Sequence, residues 1–475
     1  MKPLFLLNAP LSFPAEALFQ QALTSAGWRQ HDCEIGYATE AVAATAKSRL
    51  IVAFGDGAAG ACVAGDWERG WCQERRGYLW QGAASDKVLT TLDPEDCVLR
   101  QDPSGINGML LVADLERAKR EAKFADYRRI SRRVTVITET TRSAAQSAIS
   151  CIKSAGTSAC DIECSDASTL LCIGFATSAT EAFVFVGEAL VAALQIVADL
   201  SVSKVFQNGQ FDAYFLKTRC GVEVANWTDD CMIAWHALWP EIAGKGAKGS
   251  KRTRKSLAFL ASLYTESPEW WKEYDTDEAG MYQLNGLDCC ITYEIMQNLK
   301  REIAEQDVAA IYAHEMSMMP VLVAIQERGL AVDEIGRQRA AQELGVRRTE
   351  ALLRIRELAE PILRERRISI EKPHLFYGTA RCSCCNGGAK KSAACWACAG
   401  FAKQPGKRQL GDIVLAPCAV CNGAGRFDTF DFNPASTAQQ VELFYNVLNL
   451  PQRYNDGSLT CDEKALKGLL AEVAG

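Results

Sequence analysis

The chain has 475 residues, 48% of them hydrophobic, and a formal net charge of -6. That length suggests two to four domains with ample buried cores, and the negative balance argues against a protein that coats duplex DNA through bulk positive charge, while leaving room for local basic patches. No stretch reaches the ~18 apolar residues of a membrane helix, residues 1–9 lack the basic leader and long apolar core of an export signal, and the 20 cysteines, seven of them in one segment, fit metal-bound thiolates in a reducing cytoplasm better than disulfides.

Residues 1–9 read as a buried first strand. Residues 49–55 (RLIVAFG) form a strand entering a Gly/Ala-rich turn, 87–92 another strand, and 110–123 a closing helix. This alternation predicts a small α/β sandwich over residues 1–140. Thr91-Leu92-Asp93-Pro94 and Asp114-Leu115-Glu116-Arg117-Ala118 resemble, weakly, a strand end and helix of the uracil-DNA glycosylase superfamily. There a histidine would stand at Asp93. A carboxylate would repel the developing base anion, so the expectation is a degenerate domain with a structural or DNA-docking role and no glycosylase activity. The basic run 117–133 reads as a solvated face.

The next element is Ala159-Cys160-Asp161-Ile162-Glu163. Its small and apolar flanks place Asp161 and Glu163 on one face of a strand. A single Asp-X-Glu is more often a solvated strand face than a metal site. A second element adds weight: residues 204–206 read as a short strand running through Gln207, Asn208 and Gly209 to Asp212, after which a helical pattern begins. The third is Asp288, on a helix whose Leu287, Ile291, Ile295 and Leu299 recur every fourth residue.

Asp161-Ile-Glu163, Asn208 four residues before Asp212, and Asp288 opening a helix resemble the three motifs of the DEDD 3′-5′ exonucleases, in the form found in family-A DNA polymerases. The resemblance implies an α/β, ribonuclease H-like domain with a mixed sheet over residues 141–305. It implies two Mg²⁺ or Mn²⁺ ions held by Asp161, Glu163, Asp212 and Asp288, with Asp161 bridging them, since hard divalent cations prefer oxygen ligands. Asn208 would hold the substrate strand near its 3′ end. One departure stands out: the family's Tyr four residues before the last Asp, or His five before, is here Leu284 or Gln283. Neither can act as a general base, and Tyr282 would serve only through a rearranged loop before the helix. Either metals and carboxylates carry the activity, or the site is degraded and only binds strand ends. The basic, Gly-rich run 245–255, close to Trp270 and Trp271, reads as a single-strand track, with Lys251, Arg252 and Lys255 as substrate contacts.

Residues 307–328 predict a long amphipathic helix ending at Gly329, and a further arginine-rich helix runs from Arg337 to Arg367. His314-Glu315-Met316, Pro320-Val321-Leu322 and 327–333 (ERGLAVD), with Phe432-Asn433-Pro434-Ala435-Ser436 and Leu443-Phe444-Tyr445, resemble the junction of exonuclease and thumb in family-A polymerases. The resemblance makes residues 306–475 a helical thumb. It is interrupted by an insertion, 378–427, with three CxxC knuckles: Cys382 and Cys385, Cys395 and Cys398, Cys418 and Cys421. Such pairs are strong zinc signals in a reduced protein. Four sulfurs close one structural Zn²⁺ site, which two knuckles pair is left open, and Cys384 or another group would be needed for a second ion. The chain ends where a polymerase palm would begin, so it is expected not to synthesise DNA unaided. The reading is a 3′-5′ DNA exonuclease joined to a thumb, releasing nucleoside monophosphates from single-stranded or frayed 3′ ends. The alternative is a catalytically weak or inactive DNA-binding subunit of a split or truncated DNA polymerase, which in the split case docks a separately encoded palm and fingers. RNA is a weaker substrate candidate.

Overall fold

The computed structural model describes residues 2–29, 31–38, 50–63, 71–82, 87–99, 105–124, 126–138, 143–165, 169–242, 254–266, 269–272, 277–365, 376–381, 426–430, 432–433, 436–455 and 458–474. Two compact units divide it, Met1–Leu330 and Ala331–Gly475. The chain is mixed α/β with two mixed sheets in the first unit. No described helix is long and apolar enough to cross a membrane.

The first sheet has the order β2-β1-β3-β5-β4, from β1 (Leu4–Leu7), β2 (Glu34–Tyr37), β3 (Leu50–Phe54), β4 (Leu79–Gln81) and β5 (Lys87–Thr91). Its strands are parallel except for β4, which runs against β5. The continuous apolar runs of β1 and β3 are buried along their whole length, as expected of strands covered on both faces. Helices α1 (Phe13–Ser25), α2 (Gly55–Cys62) and α3 (Trp71–Arg75) lie between these strands in the chain, and α4 (Pro94–Leu99) and α5 (Ile106–Glu121) follow the last of them. The strand at Lys87 and the helix over 110–123 thus lie where the sequence placed them.

The second sheet has the order β11-β10-β7-β8-β9-β6, from β6 (Arg133–Ile137), β7 (Thr157–Cys164), β8 (Leu170–Ser178), β9 (Glu181–Val186), β10 (Ser203–Phe206) and β11 (Trp227–Asp230). Central β7 pairs antiparallel with β8 and parallel with β10. Its alternation is physical: Cys160 and Ile162 enter one core with Ile152, Phe175 and Ile196, so Asp161 and Glu163 face the other way. Helices α6 (Ala144–Ala155), α7 (Leu190–Val197), α8 (Gln210–Cys220), α9 (Cys231–Leu238), α10 (Leu257–Tyr264), α11 (Glu278–Glu305) and α12 (Ala309–Arg328) complete the unit. The long α11 crosses β7, β8 and β9. Its Leu287, Ile291, Ile295 and Leu299 are all buried. Glycines permit the close crossing: a Cβ on Gly286 would lie 2.4 Å from Val134 Cγ1, and one on Gly174 2.3 Å from Asn285 Oδ1.

The basic run 117–133 is a solvated face at Lys119, Arg120, Lys123, Arg128, Arg129 and Arg133, which are all exposed, and departs from it at Arg117 and Arg132. Arg117 is buried and donates to the carbonyls of Ser262, Leu263 and Thr265, closing the C-terminal end of α10. Arg132 pairs with Glu294 of α11 at 2.6 Å. Arg76 adds a buried pair with Asp114 and reaches Ser262 Oγ at 3.0 Å. An arginine beside a helix end finds unpaired carbonyls there. The Trp pair also departs from expectation. Trp270 and Trp271 are 8% and 6% exposed and pack on Tyr78, with the Tyr78 and Trp270 rings edge to face at 5.1 Å, so they are core rather than a surface track.

The second unit contains α13 (Glu334–Glu365), the antiparallel pair β12 (Tyr377–Arg381) and β13 (Arg426–Phe430), α14 (Thr437–Val441) continuing into a π-helical turn Glu442–Val447, the short pair β14 (Tyr454–Asn455) and β15 (Ser458–Leu459), and α15 (Glu463–Ala474). Leu363, Phe376, Phe432, Leu443 and Val447 form one of its cores. All the knuckle cysteines, Cys382, Cys385, Cys395, Cys398, Cys418 and Cys421, lie outside the described residues.

Candidate active site

Asp161, Glu163 and Asp288 converge: one carboxylate oxygen from each lies within 4.8 Å of the others. Strand β7 supplies the first two as same-face neighbours. Helix α11 supplies Asp288 three turns in, because the helix opens at Glu278 behind the cap Asp277, whose side chain accepts from Gly280 N. It does not open at Asp288 as the motif wording suggested.

Asp212, the fourth expected ligand, is not one of the three carboxylates within 4.8 Å, but it lies close enough to raise the Asp161 pKa. Strand β10 stops pairing with β7 at Ala159, and the Ile162 amide donates to Asp212 Oδ1 at 3.2 Å. Asp212 lies in the first turn of α8, already inside the helix. The turn before it is held by Asp230. That buried carboxylate accepts from the amides of Asn208, Gly209, Met232 and Ile233 at 3.2, 2.7, 2.9 and 3.3 Å. Asn208 sits in this turn with a φ of 63°, exposed. Its neighbour Gln207 donates to the Lys255 carbonyl at 2.9 Å, which ties the stretch before α10 to the same turn. Lys251 and Arg252 lie outside the described residues.

Three further residues complete the site: Asn285 and Lys272, which the sequence did not point to, and Trp271, which it pointed to only as part of a single-strand track. Asn285 donates from Nδ2 to Asp161 Oδ2 at 2.9 Å. Trp271 Nε1 donates to Asp288 Oδ1. Lys272 Nζ donates to both Asp288 oxygens, at 2.8 Å to Oδ1. Asn285 was findable, since it precedes Asp288 by one helical turn on the same face. Lys272 carried no such signal, because only tertiary folding brings the 269–272 stretch to α11.

The electrostatics follow from crowding. Burial, then Asp212, Asp288 and Glu163, push the Asp161 carboxyl well above the ordinary range, with Lys272 opposing. Glu163 is raised by burial and Asp288, again opposed by Lys272. Burial raises Asp212 to about 7, with Asp230 and Glu163 adding and the Ile162 amide opposing. Several carboxylates facing one ammonium leave negative charge uncompensated. Oxygen donors at this spacing suit a hard divalent cation such as Mg²⁺ or Mn²⁺.

No family model matches the chain, and no curated protein matches it. Some solved structures are similar. NrnC from Brucella melitensis is 14% identical, with 44% of this chain and 98% of that one covered, at a TM-score of 0.32. The POL domain of Pol1 from M. smegmatis, in complex with DNA primer-template and dNTP, is 15% identical over 72% of this chain and 46% of that one, at 0.37. Escherichia coli RNase D, an exoribonuclease involved in structured RNA processing, is 14% identical over 42% of this chain and 52% of that one, at 0.31.

The positions expected to supply a water-orienting group are filled differently. Tyr282 is already on α11, not in a loop before it, and packs against Cys172, Val184 and Val186. Leu284 packs against the core beneath the helix.

Proposed function

We propose that this chain is a metal-dependent 3′-5′ exonuclease of the DEDD type, acting on DNA 3′ ends as the proofreading and thumb portion of a family-A polymerase. The observation that carries the reading is the convergence of Asp161, Glu163 and Asp288 within 4.8 Å from a central strand and a long helix. Rigid elements hold reactive groups better than loops do.

In this reading Asp161, Glu163 and Asp288, together with Asp212, would hold Mg²⁺ or Mn²⁺. Bound there, the cation would polarise the phosphate and lower the pKa of water. The residues of the chain do the rest. Asn285 fixes the Asp161 carboxylate through its 2.9 Å bond. Asp230 holds the turn that presents Asn208 at the surface beside Asp212, where its side chain would meet the terminal nucleotide. The DNA and thumb assignments draw on the motifs around Glu327 to Asp333 and Phe432 to Tyr445, and a structural Zn²⁺ on the CxxC knuckles would belong to that thumb.

Incubation with 3′-labelled single-stranded DNA and Mg²⁺ or Mn²⁺, beside Asp161→Ala, tests the reading. Mononucleotide release by the wild type alone is expected, and a parallel RNA strand decides the sugar. A second reading, a strand-end-binding subunit without cleavage, is favoured by the placement of Tyr282 against Cys172, Val184 and Val186. Binding with no metal-dependent release would select it.

A further inference from the structure

Lys272 is held in place from behind. The two preceding indoles are buried against Tyr78, and Trp271 is also tied to Asp288 through Nε1. The Lys272 side chain is only 22% exposed, and its ammonium bridges both oxygens of Asp288. Such a lysine behaves as a fixed charge of the site rather than a free surface cation.

Lone-pair counting gives the consequence. A carboxylate offers about four acceptor positions, two per oxygen. On Asp288, Trp271 and Lys272 take both positions of Oδ1, and Lys272 takes one of Oδ2. One position remains, enough for a single bond to a single ion. On Asp161, by contrast, Asn285 takes one position only. Charge alone does not choose the number: with Lys272, one divalent cation leaves the four carboxylates one unit negative and two leave them one unit positive.

We propose that the site takes one divalent cation, held by Asp161, Glu163 and the remaining lone pair of Asp288, and that the Lys272 ammonium stands in for a second. This rests on the metal-site reading of the preceding subsection.

The test counts bound Mn²⁺ on the full-length chain by calorimetry and by electron paramagnetic resonance. Ions held elsewhere are subtracted with the Asp161→Asn, Glu163→Gln double variant. The expected counts are one for the wild type, one for Lys272→Arg, and two for Lys272→Met and Lys272→Gln, all with unchanged far-ultraviolet dichroism. Two ions on the wild type, or one on both neutral variants, would overturn the proposal while leaving the metal site intact. No Mn²⁺ on the wild type or any variant would overturn the metal-site reading itself. Should one neutral variant misfold, the other decides.

Discussion

Asn285 and Asp161 meet across the gap between α11 and β7, Nδ2 to Oδ2 at 2.9 Å, and they meet because Gly174 stands opposite Asp161 on β8. A methyl group at Gly174 would lie 2.3 Å from Asn285 Oδ1 and 2.7 Å from Cys289 Sγ. The helix could then no longer rest on the sheet at this point. Gly174→Ala is therefore expected to cost about 1–3 kcal/mol by overpacking, read as a lowered urea midpoint. Asn285→Ala removes a bond to a charged acceptor, worth about 1.5–3 kcal/mol. It should lower nucleotide release more than strand binding, because it frees Asp161 without touching the Asn208 turn.

Asp161 is the carboxylate most crowded by its own kind, with Asp212, Asp288 and Glu163 all raising its pKa. Replacing it by Asn keeps the shape and removes a charge. Asp161→Asn should thus abolish metal-dependent release, by about 10³-fold or more if the cation supplies several kcal/mol of the barrier. The metal-free protein should become more stable than wild type. Loss of activity with lowered stability would mean that Asp161 serves the fold.

Much of this was legible in the residues, and the reasons differ by element. The same-face pair Asp161 and Glu163 follows from strand period, and the α11 stripe from helix period, so both could be read locally. The α11 start at Glu278 could not, since Leu284, Gln283 and Tyr282 break no helical rule and only the Asp277 cap marks the boundary. Arg117, Trp271 and Lys272 were unreadable for another reason. The α10 carbonyls lie some 145 residues from Arg117, and Asp288 lies on another element 17 and 16 residues after Trp271 and Lys272, while composition alone makes a basic or aromatic run look solvated. The knuckle cysteines remain a sequence statement.

The raised Asp212 gives a pH signature. Its folded pKa is about 7, against about 3.9 for an unfolded Asp. Between those values the folded state binds more protons than the unfolded one, so this contribution to stability is full below about pH 4 and is lost as pH rises toward 7. Asp161 acts in the same sense. Urea midpoints of chelator-treated protein should therefore fall from pH 5 to pH 7.5 more steeply in wild type than in Asp212→Asn, which retains an acceptor for the Ile162 amide. Equal slopes would remove Asp212 as the cause.

Arg117 tests whether the first sheet and α10 form one cooperative body. It donates to three carbonyls at 2.8–3.0 Å while fully enclosed, and burial lowers its pKa to about 10. Arg117→Met keeps most of the bulk but leaves those carbonyls without their donor, a cost of about 1–3 kcal/mol for each left unsatisfied. A single unfolding transition shifted to lower urea is expected. Two separated transitions would mean that α10 and the first sheet unfold independently.

Tyr282 separates the two functional readings most simply. Its ring belongs to the cluster of Cys172, Val184 and Val186, and burial raises its hydroxyl pKa. A tyrosine used for packing needs its ring and not its oxygen. Tyr282→Phe should leave nucleotide release within about twofold of wild type, a difference under ~0.5 kcal/mol in barrier. Tyr282→Ala should lower stability, by less than the about 3–5 kcal/mol of a fully buried Phe, because Tyr282 is only half-buried. A large loss of release in the Phe variant at unchanged stability would instead give the hydroxyl a role in the reaction, and the first turns of α11 would then have to move when a strand binds.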